Sequence, residues 1–265
     1  MTLPSLAMVA VLCSPIPAQD AADVYVYHDP GWFHVGYLDA PKSTDALTWH
    51  RLMSHALCDE LARRGVQAEV IGAERWASLC EERRRCIVVD IAQSVPASVY
   101  HGEDEGSPLE RWLDAGGILC YAGDWFCHWY ALEGGDRGGD SAMHQGDDDI
   151  CDADLVRDGF VGMACEPTPT ARDVLPAFEG WPTLRPFDAA AIEKHCPWHE
   201  VYGTAIRETD AGRLMAADPV AFQVPGGEGH IFACRLARST HTDSAQMVLD
   251  FILNRGLALL RGERP

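Results

Sequence analysis

Two short stretches of the chain concentrate the side chains that could do chemistry. The first reads His28-Asp29-Pro30-Gly31-Trp32-Phe33-His34, and the second Gly123-Asp124-Trp125-Phe126-Cys127-His128-Trp129. A third carboxylate, Asp90, closes the apolar run Cys86-Ile87-Val88-Val89. A carboxylate beside an imidazole can move protons, and with a metal ion it can help to activate water. Aspartates among indole rings can instead hold a sugar, with the rings stacking on it and the carboxylates accepting from its hydroxyls. The candidates for catalysis are therefore Asp90, Asp124 and His128. The candidates for ligand contact are His28, Asp29, Trp32, His34, Trp125 and Trp129. Each has a structural alternative. Asp90 can cap the next helix or bond loop amides, Asp29 before Pro30 is a common turn residue, and Asp124 can cap a turn at Trp125. The aromatic rings can simply pack an inserted segment onto the sheet.

The elements around these stretches decide whether they can meet. Val24–Tyr27 reads as a first strand. Residues 44–64 follow with helical spacing of Leu47, Met53, Leu57 and Leu61, capped at Thr44 and ended at Gly65. Val66–Ile71 is a second strand, Ala73–Glu81 a short helix, and 86–91 a third strand, apolar enough to be buried on both faces. Ser107, Pro108 and Glu110 then form a capping box with proline at the first helical position. Leu109, Trp112 and Leu113 give that helix an apolar face, Gly116 ends it, and Ile118–Tyr121 is the fourth strand. This alternation predicts a parallel sheet with right-handed crossovers. In a flavodoxin-like order the first and third strands flank the switch point and the fourth lies beside the third. The loops carrying Asp29, Asp90 and Asp124 would then share one crevice, where open α/β sheets bind ligands.

The remainder is less regular. Residues 133–158 are glycine-rich and acidic, and read as a solvated loop. The spacing of Asp147, Asp148, Asp149, Asp152 and Asp154 does not fit an EF-hand. From 159 to 210 the prolines predict an irregular extension over one sheet edge. Val220–Val224 and His230–Leu236, joined by Pro225-Gly226-Gly227-Glu228-Gly229, predict a hairpin. A last helix follows, capped by Asp243 with Gln246, buried through Met247, Val248, Phe251 and Ile252, and ended at Gly256. The expected fold is a three-layer, flavodoxin-like α/β sandwich with a mainly parallel sheet, an irregular insertion at about 133–210, and a C-terminal hairpin and helix. Residues 19–265 form one domain in this reading.

Bulk properties narrow the partners. With 265 residues, 47% of them hydrophobic, the chain can bury a full core. Its formal charge of −19 repels phosphate backbones, so no nucleic acid is expected. The apolar run at 3–13 is too short to span a bilayer. With the small residues up to Ala18 it reads as a signal peptide over 1–18, which places the protein outside the cytoplasm, secreted or periplasmic; the alternative is a buried first strand. None of the ten cysteines shows zinc-finger spacing, and no metal site is expected. Cys80 and Cys86 flank a tight connection and could bridge. The residues name no cofactor and no oligomeric state. The expected partner is a small molecule.

Three stretches carry a family resemblance: the unit at 108–124 ending GGILCYAGD, ADPVAFQVPGGEGHIFACR at 217–235, and the closing helix. They resemble the class I glutamine amidotransferase-like superfamily, and within it trehalose-utilisation-type (ThuA-like) domains and the trimerisation domains of some β-galactosidases. The resemblance implies the same flavodoxin-like fold. It does not extend to the glutaminase machinery. The family places its nucleophile in G-x-C-x-G, whereas Cys120 has Ile118 and Ala122 at those positions. Its later His-x-Glu is replaced by adjacent His199 and Glu200, which point to opposite sides of extended structure. The expectation is thus an exported, amidotransferase-like domain without glutaminase activity that binds a carbohydrate or other polyhydroxylated small molecule. The alternative is a hydrolase using Asp and His at the strand ends, with or without metal assistance.

Overall fold

A computed structural model describes residues 23–32, 46–92, 94–102, 106–123, 126–134, 137–139, 146–157, 159–160, 162–183, 185–210, 212–234 and 241–263. The expected signal peptide at 1–18 lies outside these, as do Thr44 and the site candidates His34, Asp124 and Trp125. The first half runs β1 (Val24–Tyr27), α1 (Ala46–Arg63), β2 (Ala68–Ile71), α2 (Ala73–Glu81), β3 (Ile87–Asp90), β4 (Val95–Pro96), α3 (Pro108–Asp114) and β5 (Ile118–Ala122). Then come β6 (Trp129–Ala131), β7 (Arg137–Gly139), α4 (Asp147–Cys151), β8 (Ala164–Pro167), α5 (Pro169–Val174), β9 (Trp181–Pro182), β10 (Phe187–Asp188) and α6 (Ala189–His195). The chain closes with β11 (His199–Val201), β12 (Gly203–Thr209), β13 (Gly212–Ala217), β14 (Val220–Gln223), β15 (His230–Cys234), α7 (His241–Phe251) and α8 (Leu257–Leu260).

The central sheet has seven strands in the order β11-β14-β15-β5-β3-β1-β2. From β15 to β2 every pairing is parallel, and β14 and β11 add antiparallel at the far edge. Taken by chain order, the parallel block is 2-1-3-4-5, the flavodoxin-like winding with its switch point between β1 and β3. Alternation along each strand builds the three layers. Tyr25, Tyr27 and Val88 pack against Trp76 and Leu79 of α2 and Leu109 and Trp112 of α3. Val24, Val26, Ile87 and Val89 face the other way, onto Leu57 and Leu61 of α1 and Val248 and Phe251 of α7. Each such leucine or valine contributes about 1.5–3 kcal/mol by leaving water. The capping box at α3 forms: Glu110 N–H donates to Ser107 Oγ at 3.2 Å, and Ser107 N–H donates back to Glu110 Oε2 at 3.2 Å. Gly116, at φ +97, then turns the chain into β5 in a region that side-chain-bearing residues avoid.

Three expectations change. The insertion at 133–210 is not irregular: together with β13 it supplies a five-stranded antiparallel sheet, β10-β13-β12-β8-β9. Its prolines sit where they break no ladder, Pro167 and Pro182 as last residues of short strands and Pro169 in the first turn of α5. The final helix begins before Asp243, at His241, and does not stop at Gly256. It passes through a π-turn at Ile252–Gly256 into α8 and ends at Gly262, φ +76. Cys80 and Cys86 remain separate, buried thiols. Among the described residues no helix is long and apolar enough to cross a membrane.

The two sheets are joined where the chain passes between them. Tyr202 and Gly203 N–H both donate to Pro219 O, and Asp218 N–H donates to Gly203 O. The buried Asp218 carboxylate accepts from Trp181 Nε1 at 3.0 Å and Thr183 Oγ1 at 2.8 Å, tying the outer strands to this crossing.

Candidate functional site

The C-terminal ends of β1 and β3 lie side by side, so Asp29 and Asp90 share one sheet edge, as the strand order requires. Their surroundings differ from an exposed crevice. Asp90 is fully buried, and its Oδ1 accepts from Ala92 N–H at 2.7 Å, turning the chain out of β3. Asp29 Oδ1 accepts from Gly31 N–H at 2.9 Å, and Oδ2 from Ala73 N–H at 2.8 Å. One aspartate thus shapes its own loop and caps the first turn of α2 from outside that helix. Gly72 makes room for it, since a Cβ there would lie 2.8 Å from Asp29 Oδ2.

His28 follows β1 and is almost enclosed. Its Nδ1 lies 2.8 Å from Nδ1 of His50, on the buried face of α1. Two Nδ1 atoms at that distance need one N–H and one lone pair, so the pair is stable only with at least one ring neutral. Burial, and then the neighbouring His28, push His50 down to about 3. Burial also lowers His28, with His55 and Arg51 adding to the effect and Asp29 opposing it. Beneath them burial, then Asp90 and Asp29, push the Tyr27 phenol upward, so it stays protonated. His128 is also buried, edge-on to Trp129 at 4.3 Å between ring centres. His28, His50, His128 and Asp90 therefore lie under the surface rather than on it.

What does open to solvent is a depression of about 620 Å³ just outside β1 and β2, lined by Asp29, Trp32, Glu74, Arg75 and Glu133 among its side chains. The loop after β6 returns to the loop after β1 through Gly134 N–H donating to Gly31 O at 2.8 Å, which brings Glu133 beside Trp32. Arg75 is turned partly away, donating to Glu82 Oε1 at 3.3 Å. Sequence reasoning found Asp29 and Trp32 here and missed Glu74, Glu133 and, in the buried layer, His50. A readable signal existed for His50: with Ser54, Leu57 and Leu61 it completes the buried stripe of α1. Trp129 lies in the small β4-β6-β7 sheet and does not line the depression.

Among the described residues no three His, Cys, Asp or Glu side chains are grouped to hold a metal ion. Cys120, His199 and Glu200 do not meet. Cys120, Phe232, Ala221 and Glu200 occupy one row across β5, β15, β14 and β11. Three strand spacings, roughly 14 Å, separate the thiol from the carboxylate. Cys120 is wholly enclosed, and burial alone raises its thiol far above the ordinary range. Glu200 is occupied by Arg255, at 2.9 Å, and by the Tyr202 hydroxyl, at 2.7 Å.

Fold and site together define a flavodoxin-like α/β protein with an open, carboxylate-rimmed depression at its strand ends. No protein-family model and no curated protein matches the chain. Two solved structures are similar to it at low identity. One is the exo-beta-1,4-mannosidase Op5Man5 from Opitutaceae bacterium strain TAV5, with TM-score 0.41, 11% identity, and coverage of 92% of this chain and 35% of the mannosidase. The chain therefore spans about a third of that protein's length. The other is the cytoplasmic protein STM3548 from Salmonella typhimurium, with TM-score 0.44, 14% identity, and coverage of 88% of this chain and 97% of that one.

Proposed function

We propose that this chain is an amidotransferase-like domain without glutaminase activity, which binds a neutral polyhydroxylated small molecule such as a saccharide in the depression beside β1 and β2. The observation that carries the reading is the lining: one half-buried indole, Trp32, set among Asp29, Glu74 and Glu133, with no imidazole among them. An indole offers a flat apolar surface to the C–H face of a sugar, and carboxylates accept from its hydroxyls. Both Asp29 oxygens already hold backbone amides, which fixes the carboxylate in place, while the Glu74 and Glu133 carboxylates bond to no described residue. Three carboxylates against one arginine disfavour phosphorylated ligands. The hydrolase alternative draws less support, because Asp90, His28, His50 and His128 are all less than a tenth exposed.

A thermal-shift screen of neutral saccharides, sugar phosphates and nucleotides tests this. A saccharide at a hundred times its dissociation constant stabilises the fold by about 2.7 kcal/mol. The expected response is to neutral sugars, reduced in Trp32→Ala. A response confined to phosphorylated compounds, or a glutaminase activity abolished by Cys120→Ala, overturns the reading.

A further inference from the structure

The opposite edge of the central sheet carries a second cleft, of about 380 Å³, that the strand-end chemistry does not involve. Four separate segments build it. Arg85 comes from the turn before β3, Trp198 from the turn before β11, Gln223, Glu228 and His230 from the β14–β15 hairpin, and Leu259 to Glu263 from the chain end. One backbone bond and one side-chain bond tie the parts together. Gln223 N–H donates to Trp198 O at 2.9 Å, and Arg85 Nη2 donates to Leu259 O at 3.3 Å. The volume lies in the range of pockets that enclose small ligands.

Several polar groups in this cleft are unused. Arg85 has that one bond to a carbonyl and no carboxylate within ion-pair distance among the described residues, which leaves most of its five N–H donors available. In a chain of net charge −19 an unpaired guanidinium in a cleft is conspicuous. The Glu228 carboxylate also bonds to no described residue, whereas Glu263 is taken by Arg261 at 2.5 Å. Gln223 spends its amide N–H on Gly227 O at 2.7 Å and keeps its side-chain oxygen as an acceptor. The Trp198 indole stands edge-on to the His230 ring at 5.4 Å, and both line the cleft. Burial, with Arg85 nearby, pushes His230 down to about 4, so near neutral pH it offers an uncharged imidazole.

One free cation and one free anion beside an aromatic wall select by charge. A simple anion satisfies Arg85 but faces Glu228, and a simple cation meets the reverse conflict. We propose that this cleft is a second ligand site that takes a small zwitterion of the amino-acid kind with a flat or ring-shaped side group. Its carboxylate pairs with Arg85, its ammonium with Glu228, and its ring packs on Trp198.

Isothermal titration of the full chain with L-tryptophan and L-phenylalanine, and with indolepropionate, tryptamine and indole, tests the proposal. Indolepropionate keeps only the carboxylate, tryptamine only the ammonium, and indole neither. The expected order is amino acid first, with each single-charge analogue at least about tenfold weaker, the equivalent of about 1.4 kcal/mol, and indole weakest. In Arg85→Gln the advantage of tryptophan over tryptamine disappears, and in Glu228→Gln its advantage over indolepropionate does. Both positions are exposed, so the variants keep the fold, which circular dichroism checks. The analogue series on the unaltered chain stands without them. Absence of binding by both amino acids, equal binding of a single-charge analogue, or tryptophan binding unchanged in folded Arg85→Gln overturns the proposal.

Discussion

Two regions a few residues apart at the C-terminal edge of the sheet treat the same side-chain types in opposite ways. In the buried layer Asp90, His28, His50 and His128 are withdrawn from solvent, with Asp90 accepting from the Ala92 N–H and His28 lying against His50. In the depression Glu74 and Glu133 face water with no bond to a described residue, beside an indole that is only partly covered. A titratable group at a strand end is thus not by itself a chemical group. Where the sheet reaches it first, it becomes part of the fold, and ligand contacts pass to the loops outside.

That contrast breaks if substitutions in the two regions behave alike. The largest effect is expected at Asp90. Asp90→Ala strands the Ala92 N–H in a fully buried turn and costs about 3 kcal/mol in urea unfolding. Glu133→Gln stays within about 0.5 kcal/mol of the unaltered chain. Equal costs would erase the distinction.

His50→Ala comes next, at about 2 kcal/mol, because it removes the buried partner of His28. The pair His28→Phe with His50→Leu is expected to cost less than the sum of the two single changes, since both polar partners leave together. Strict additivity in the double-mutant cycle would mean the two rings do not support each other.

A smaller effect sharpens the same point by pH. His50 is pushed down to about 3 in the fold, so between about 3 and its ordinary value near 6.5 the unfolded chain binds the extra proton. Its contribution is full above about 6.5 and is lost as pH falls through that window, at up to about 1.4 kcal/mol per pH unit. Unfolding of the unaltered chain from pH 7 to 4 should therefore show a steeper loss than His50→Leu. Parallel curves would place His50 in solvent.

How much of this was legible in the sequence depended on whether the signal was local. The strand order followed from apolar runs and caps that act within a few residues, such as Ser107-Pro108 with Glu110 and the turn at Gly116. The antiparallel sheet of the insertion was not legible. Two of its strands, Trp181–Pro182 and Phe187–Asp188, are only two residues long, too short for alternation to show, and prolines that read as turns sit at strand ends. Asp29 was legible as a strand-end carboxylate, but its role as a cap for α2 depends on Ala73, far along the chain. Glu133 reads as part of a solvated loop, and only the bond from Gly134 to Gly31 brings it to Trp32.

The most direct measurement of the central claim is amide chemical-shift mapping with a saccharide that responds in the thermal screen. The account requires the largest perturbations at Gly31, Trp32, Gly72 and Gly134, which surround the depression, and their loss in Trp32→Ala. Perturbations centred on Ala92, Ser94 and His128, with Gly31 and Gly134 unmoved, would place the ligand in the buried layer and contradict it.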